Sequence, residues 1–259
     1  MEPTELKKIL DLHKKYLDDI KGGVRANLAD ANLADADLAD ADLRCADLRG
    51  ANLTRADLRG AYLTRADLRG ANLADANLAD AYLMGAILRD ADLTGAYLAD
   101  ADLAGAYLRD ADLTNAILRG ANLTRAYLTR ADLRGTNLTR ADLTRANLRG
   151  ANLSGAYLAE IESDFYAILD LYPDEVAAVK TALLEGRVNG STYTGKCACL
   201  IGTIANARKC KPSELEQNND RPAEIWFLGI TKGDTPSNNQ QAAITVGWID
   251  KWFAGRDKK

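Results

Sequence analysis

The residue types most suited to chemistry lie in the last third of the chain. Residues 190–197, Gly190-Ser-Thr-Tyr-Thr-Gly195-Lys196-Cys197, follow the phosphate-cradling pattern G-x-x-x-x-G-K-S/T. In that pattern backbone amides surround phosphate oxygens and the lysine neutralises their charge. Here Cys197 stands where a magnesium-holding hydroxyl belongs, no buried strand precedes Gly190, and no apolar strand ending in Asp follows. The segment therefore reads as a glycine-rich turn entering a helix. Nucleotide binding at Gly190, Gly195 and Lys196 is the weaker alternative.

Cys197, Cys199 and Cys210 raise the question of zinc, because thiolates are good zinc ligands. A fourth ligand is missing from that spacing and no histidine lies nearby, so the three read as small apolar residues and no metal or cofactor is expected. Cys45 falls at an outward position and reads as a free thiol. His13, the one histidine, has no serine or cysteine partner for a hydrolytic triad. Carboxylates are abundant but recur at surface positions. No catalytic constellation emerges, and the chain reads as a non-enzyme.

These residues sit in a chain of 259 residues with net charge −4, enough for about two domains. No signal peptide or membrane-spanning stretch is legible. Four cysteines without a dense framework fit a reducing compartment, and cytoplasmic is the expected address.

What must position everything else is the segment 26–160. Leucine falls at Leu28, Leu33, Leu38 and every fifth residue to Leu158, in 27 consecutive copies, with alanine two residues earlier except at Thr136. Five residues of helix advance about 500°, which would scatter the leucines around the axis. A two-residue strand alternation does not fit either. The remaining regular solution is a coil that bends at every repeat and turns the same side chains inward. Thr136 is then an inward hydroxyl that needs a backbone carbonyl.

The run ADLRG-ANLTR-ADLRG at residues 46–60 resembles the pentapeptide-repeat family, whose consensus is A-(D/N)-L-x-x. The resemblance implies a right-handed, four-sided β-solenoid with one pentapeptide per side and twenty residues per coil. Twenty-seven repeats then make nearly seven coils, about 32 Å long at the spacing of paired strands. It also implies one candidate activity, since the family's quinolone-resistance members act as acidic DNA mimics that bind a topoisomerase, DNA gyrase.

Residues 1–25 are expected to cap the rod, whose open end would expose unpaired strand edges. Thr4 is placed to cap a helix over 4–20 with Leu6, Ile9, Leu10, His13, Tyr16, Leu17 and Ile20 on one face, stopped by Gly22-Gly23. Residues 161–259 are expected to form a small, mainly helical C-terminal domain, because all Trp and Phe lie beyond Glu160. Ser163 and Pro173 are expected to open its first two helices and Gly186 to stop the second. Residues 197–209 suit a buried helix, 222–230 helix or strand, and a last helix runs to about Ala254.

Residues twenty apart stack on the outer faces. One column carries Arg49, Arg69, Arg89, Arg109 and Arg149, interrupted by Thr129, with Ile87, Tyr107 and Tyr127 beside it. A second face stacks Tyr62 on Tyr82 next to Met84. The plain reading pairs the arginines with Asp90 and Asp110. The sharper one makes Ile87, Tyr107 and Tyr127, flanked by Arg89 and Arg109, a partner-binding strip, since Tyr and Arg favour interface centres. Residues 26–43 hold five Asp and no Arg, while 115–150 hold seven Arg and two Asp. That polarity argues against wholesale DNA mimicry and against nucleic-acid binding. The expectation is a protein-binding scaffold, with self-association open, no membrane partner, and the gyrase-directed mimic and the small-ligand module as alternatives.

Overall fold

The computed structural model describes residues 1–190, 199–215, 222–227 and 229–256. Two compact units divide the chain, Met1–Tyr157 and Leu158–Lys259.

In the first unit every residue before a leucine pairs in parallel with its counterpart twenty residues on, from Asn27 with Asp47 to Asn137 with Tyr157. Twenty residues thus complete one coil. Three backbone bonds per repeat join the coils: Leu28 N–H to the Asp47 carbonyl at 2.7 Å, Asp47 N–H to that of Ala26 at 3.0 Å, and Asp30 N–H to that of Arg49 at 2.8 Å. A fourth closes the corner, Ala31 N–H to the Leu28 carbonyl at 3.1 Å. To make that corner, every fifth residue from Asp30 to Gly155 takes a left-handed φ. Glycine, Asp and Asn adopt it most readily, yet Arg55, Arg65 and Arg125 hold it too.

One N–H per repeat remains, that of the residue after the leucine. The Asn or Asp before the leucine takes it: Asn27 Oδ1 accepts from Ala29 at 3.2 Å, Asp92 Oδ1 from Thr94 at 2.9 Å, and Asp142 Oδ1 from Thr144 at 2.8 Å. The second position of the repeat is therefore a side-chain acceptor for a corner donor that nothing else reaches. The leucines from Leu28 to Leu153 are buried on the axis, and the alanines of the middle coils are buried beside them. Thr136 is also buried, and its hydroxyl donates to the Leu133 carbonyl, as its inward position demands.

Helix α1 spans Pro3–Leu17. Its start corrects the expectation, because Glu2 holds the N-cap position without a side-chain bond and Pro3, not a capping Thr4, opens the first turn. It ends at Leu17 rather than Ile20; Asp18 closes it, Asp19 is left-handed, and Tyr16 and Ile20 are exposed. The helix meets the first coil through Val24 N–H on the Leu12 carbonyl at 3.0 Å and Ala26 N–H on His13 Nδ1 at 3.0 Å. His13 is fully buried there.

The second unit is helical among its described residues: α2 (Ala159–Leu171), α3 (Val176–Leu184), α4 (Leu200–Arg208), α5 (Pro222–Phe227) and α6 (Gln240–Arg256). Ser163 lies inside α2, which begins four residues earlier directly after the last leucine, so it caps nothing. A 3-10 turn at Pro173–Glu175 leads into α3, and Gly186 follows it with φ +64°. The core is aromatic: ring centroids lie 5.9 Å apart for Phe165 and Phe227, 5.9 Å for Phe165 and Trp248, and 5.4 Å for Trp226 and Trp248. Two buried polar contacts cross between helices, Trp226 Nε1 donating to Thr245 Oγ1 at 3.0 Å and Gln241 Nε2 to the Trp226 carbonyl at 3.1 Å.

Candidate interaction face of the solenoid

Each face of the rod presents rows of two outward side chains, one on either side of an inward leucine. On the face of Leu48, Leu68, Leu88, Leu108, Leu128 and Leu148, the position before the leucine reads Asp47, Asp67, Ile87, Tyr107, Tyr127 and Asn147 in one bridged column. The position after it carries Arg49, Arg69, Arg89, Arg109, Thr129 and Arg149.

The lower rows are closed ion pairs. Arg49 clamps Asp47 and Arg69 clamps Asp67, each at 2.6 Å, and each arginine's hydrogen bonds hold its carboxyl below the ordinary carboxylate range. The clamp lapses where the acid does. Arg89, beside Ile87, makes no ion pair among the described residues. Arg109, beside Tyr107, turns to Asp110 at 2.9 Å, which Arg130 of the next coil also grips at 2.6 Å. The sequence points to Asp90 and Asp110 as partners of this arginine column; Arg109 does reach Asp110, while Arg49 and Arg69 pair first within their own rows, Arg49 also lying 4.0 Å from Asp67. A two-residue spacing across one leucine puts the charges closer than neighbouring columns do.

Ile87, Tyr107 and Tyr127 do fall in one line, bridged residue to residue. The rings of Tyr107 and Tyr127 stack at 4.9 Å and 2°, with 43% and 46% of their surfaces exposed; Ile87 is half-buried. These three also displace the acceptor that the corner needs, so the N–H groups of Arg89, Arg109 and Thr129 have no protein acceptor among the described residues. Losing one such bond costs on the order of 1 kcal/mol. Within the rod only the Tyr107–Tyr127 ring stack offsets that loss.

Tyr62 and Tyr82 stack the same way on an adjacent face, at 4.9 Å, beside exposed Met84. Sequence reasoning missed a third departure, Tyr97 bridged to Ile117, with Tyr157 further up the same face. The signal is present in the chain, since both replace an Asx of the repeat twenty residues apart. The fourth face keeps Asn or Asp in every row from Asn32 to Asn152.

Of the nucleotide-binding candidates, Gly190 donates its N–H to the Ile230 carbonyl at 2.8 Å; Gly195 and Lys196 lie outside the described residues, as does Cys197. The amides that open α4 are in use. Glu224 accepts from Ile201 N–H at 3.1 Å and Cys199 Sγ from Gly202 N–H at 3.4 Å. Burial, with the Glu224 carboxylate adding to it, pushes the Cys199 thiol up to about 12, so it is no thiolate at neutral pH. Among the described residues no three His, Cys, Asp or Glu side chains gather as a metal site, and Cys45, Cys199 and Cys210 are free thiols. No helix among them is long and apolar enough to cross a membrane.

A coil of four five-residue sides, with leucine on the axis and Asx at the corners, defines a repeat solenoid. The chain belongs to the pentapeptide-repeat family, whose model, described as pentapeptide repeats, matches in eight copies over residues 24–160. No curated protein matches it. Among solved structures, HetL, a pentapeptide repeat protein involved in heterocyst differentiation regulation from the cyanobacterium Nostoc sp. strain PCC 7120, is 39% identical over 51% of this chain and 72% of its own, with a TM-score of 0.34. A pentapeptide repeat protein from the Arabidopsis thaliana thylakoid lumen is 31% identical over 48% and 69%, at 0.26. QnrB1, a plasmid-mediated fluoroquinolone resistance protein, is 21% identical over 49% and 69%, at 0.28.

Proposed function

We propose that this protein is a non-enzymatic interaction scaffold. A right-handed, four-sided rod, closed at its first coil by α1, presents the column Ile87, Tyr107 and Tyr127 with Arg89 and Arg109 beside it to another protein, while the helical C-terminal module rides on the same chain. The observation that carries this reading is the exchanged corner acceptor. At each of these rows an Asx that would bind a backbone N–H is replaced by an exposed or half-exposed apolar group, which suits docking better than it suits the coil. A reducing, cytoplasmic setting agrees with the three free thiols. The test is the triple variant Ile87→Asn, Tyr107→Asn, Tyr127→Asn as bait in native lysate. It should melt like the parent or slightly higher, and lose proteins the parent captures. Unchanged capture would reduce the column to solvated surface.

A gyrase-directed DNA mimic is the second reading, and the five Asp of residues 26–43 favour it. Against it stand the in-row clamps, which neutralise carboxylates a mimic would leave open. Undiminished supercoiling by gyrase in excess protein is the expected result; inhibition lost on exchanging Asp30, Asp37 and Asp40 for Asn would reverse the ranking.

A further inference from the structure

We infer that the same column receives a second copy of this chain, the two rods lying face to face and parallel about a two-fold axis that runs along them. This rests on the reading of the column as a docking face and names its occupant. The argument lies in the order of the rows. A two-fold axis parallel to the rod keeps each row opposite itself and reverses it left to right. Asp47 and Asp67 then stand over the partner's Arg49 and the partner's Arg69, and the reverse. Tyr107 stands over the partner's Arg109, whose guanidinium N–H groups can donate to the phenol oxygen at the outer edge of the stacked tyrosine pair. Ile87 lies along the aliphatic stem of the partner's Arg89, Tyr127 meets the partner's Thr129, and Asn147 meets the partner's Arg149. Every row is complementary to its own reversal. Arg89, which has no ion pair among the described residues, finds apolar cover for its stem.

The antiparallel alternative fails on the same rows. An axis across the rods leaves the arginine column opposite an arginine column, with Arg89 against the partner's Arg109. The chemistry therefore selects the parallel arrangement. Its size sets its strength. Nearly seven coils at about 4.8 Å, and a face roughly 10 Å wide, offer on the order of 300 Å² per copy. That is well under the roughly 800 Å² per partner of a standard interface, so the dimer is weak, concentration-dependent and sensitive to salt.

The experiment uses the full chain in sedimentation, over a concentration series reaching the upper micromolar range. The parent should dimerise reversibly. Asp67→Arg fills its row with two arginines and Arg69→Asp fills its row with two acids. Each variant alone should associate at least about tenfold more weakly than the parent, because like charges face across the axis. An equimolar mixture of the two should recover association, since an all-basic row then faces an all-acidic one. Recovery requires that row 67–69 meet itself, which an unrelated contact, or an antiparallel pair centred on any other row, does not bring about. Arg69 is exposed and Asp67 half-buried on the outer face, and circular dichroism checks that each variant is folded; the exchange Asp47→Arg with Arg49→Asp is the second pair if one is not. A monomeric parent at every concentration, or a mixture no better than its components, overturns the proposal. A monomeric parent whose captured proteins are nevertheless lost in the Ile87, Tyr107 and Tyr127 variant would sink the dimer and leave the scaffold reading standing.

Discussion

His13 stands in for a carbonyl. In later corners the alanine N–H donates to the leucine three residues back, but Ala26 has no such leucine and its N–H is accepted by His13 Nδ1 at 3.0 Å. Burial holds the imidazole below its ordinary value, opposed by the Arg44 carbonyl and by Asp42 and assisted by Arg25 and Arg44. A neutral histidine in the folded state binds fewer protons than the unfolded chain. Its contribution is therefore complete above the unfolded value of about 6.5 and is lost as pH falls through that value toward the lower folded one. The melting temperature of the parent should fall between about pH 7 and pH 5, and His13→Gln should be flatter over that window; equal slopes would show that His13 does not set the pH dependence. A second residue-scale prediction concerns the corners. Gly70 has φ +63°, and a methyl group added there would meet no heavy atom within 4 Å. Gly70→Ala should therefore lose about 1–2 kcal/mol in urea unfolding through backbone strain alone.

The coil is the element on which the rod depends. Leu93 is fully buried in a middle coil, and Leu93→Asp would place an unpaired charge on the axis, at a penalty far above the net stability of a domain of this size. Loss of the cooperative melt in circular dichroism is expected, and near-normal melting would disprove the inward register. Much of this element is legible in the sequence because its geometry is one-dimensional: a residue's neighbours lie twenty positions away, whatever the rest of the chain does. The helices are less legible at their ends. Thr4 and Ser163 have the chemistry of caps, yet neither caps. For α1 the turn at Pro3 already supplies the right φ, and α2 starts as soon as the last leucine is in place, at Ala159, ahead of any capping residue.

At the scale of the whole molecule, charge runs from acidic to basic along the repeats, with five Asp in 26–43 and seven Arg in 115–150. Acid and base are also interleaved on the faces, because Asp and Arg are clamped within rows at 42–44, 47–49, 57–59, 67–69 and 132–134. A chain built this way should neither bind nor hydrolyse ATP. Micromolar ATP binding abolished by Lys196→Ala, measured by calorimetry, would return the segment 190–197 to the centre of the function.

Counting along the chain is enough to place the leucine axis; the twenty-residue coil, and with it the stacking of Tyr62 on Tyr82 and Tyr107 on Tyr127, follows once the resemblance to the pentapeptide-repeat family supplies four sides per turn. It is enough, too, to require that Thr136 bond inward. Folding in three dimensions settles the rest: which acid each arginine grips, why Asx precedes leucine, what takes the N–H of Ala26, and that Glu224 reaches Ile201 across 23 residues at the head of α4. Those choices turn on distances of a few ångströms between groups with no common period, and a hydrogen bond is won by whichever acceptor the packing brings within about 3 Å.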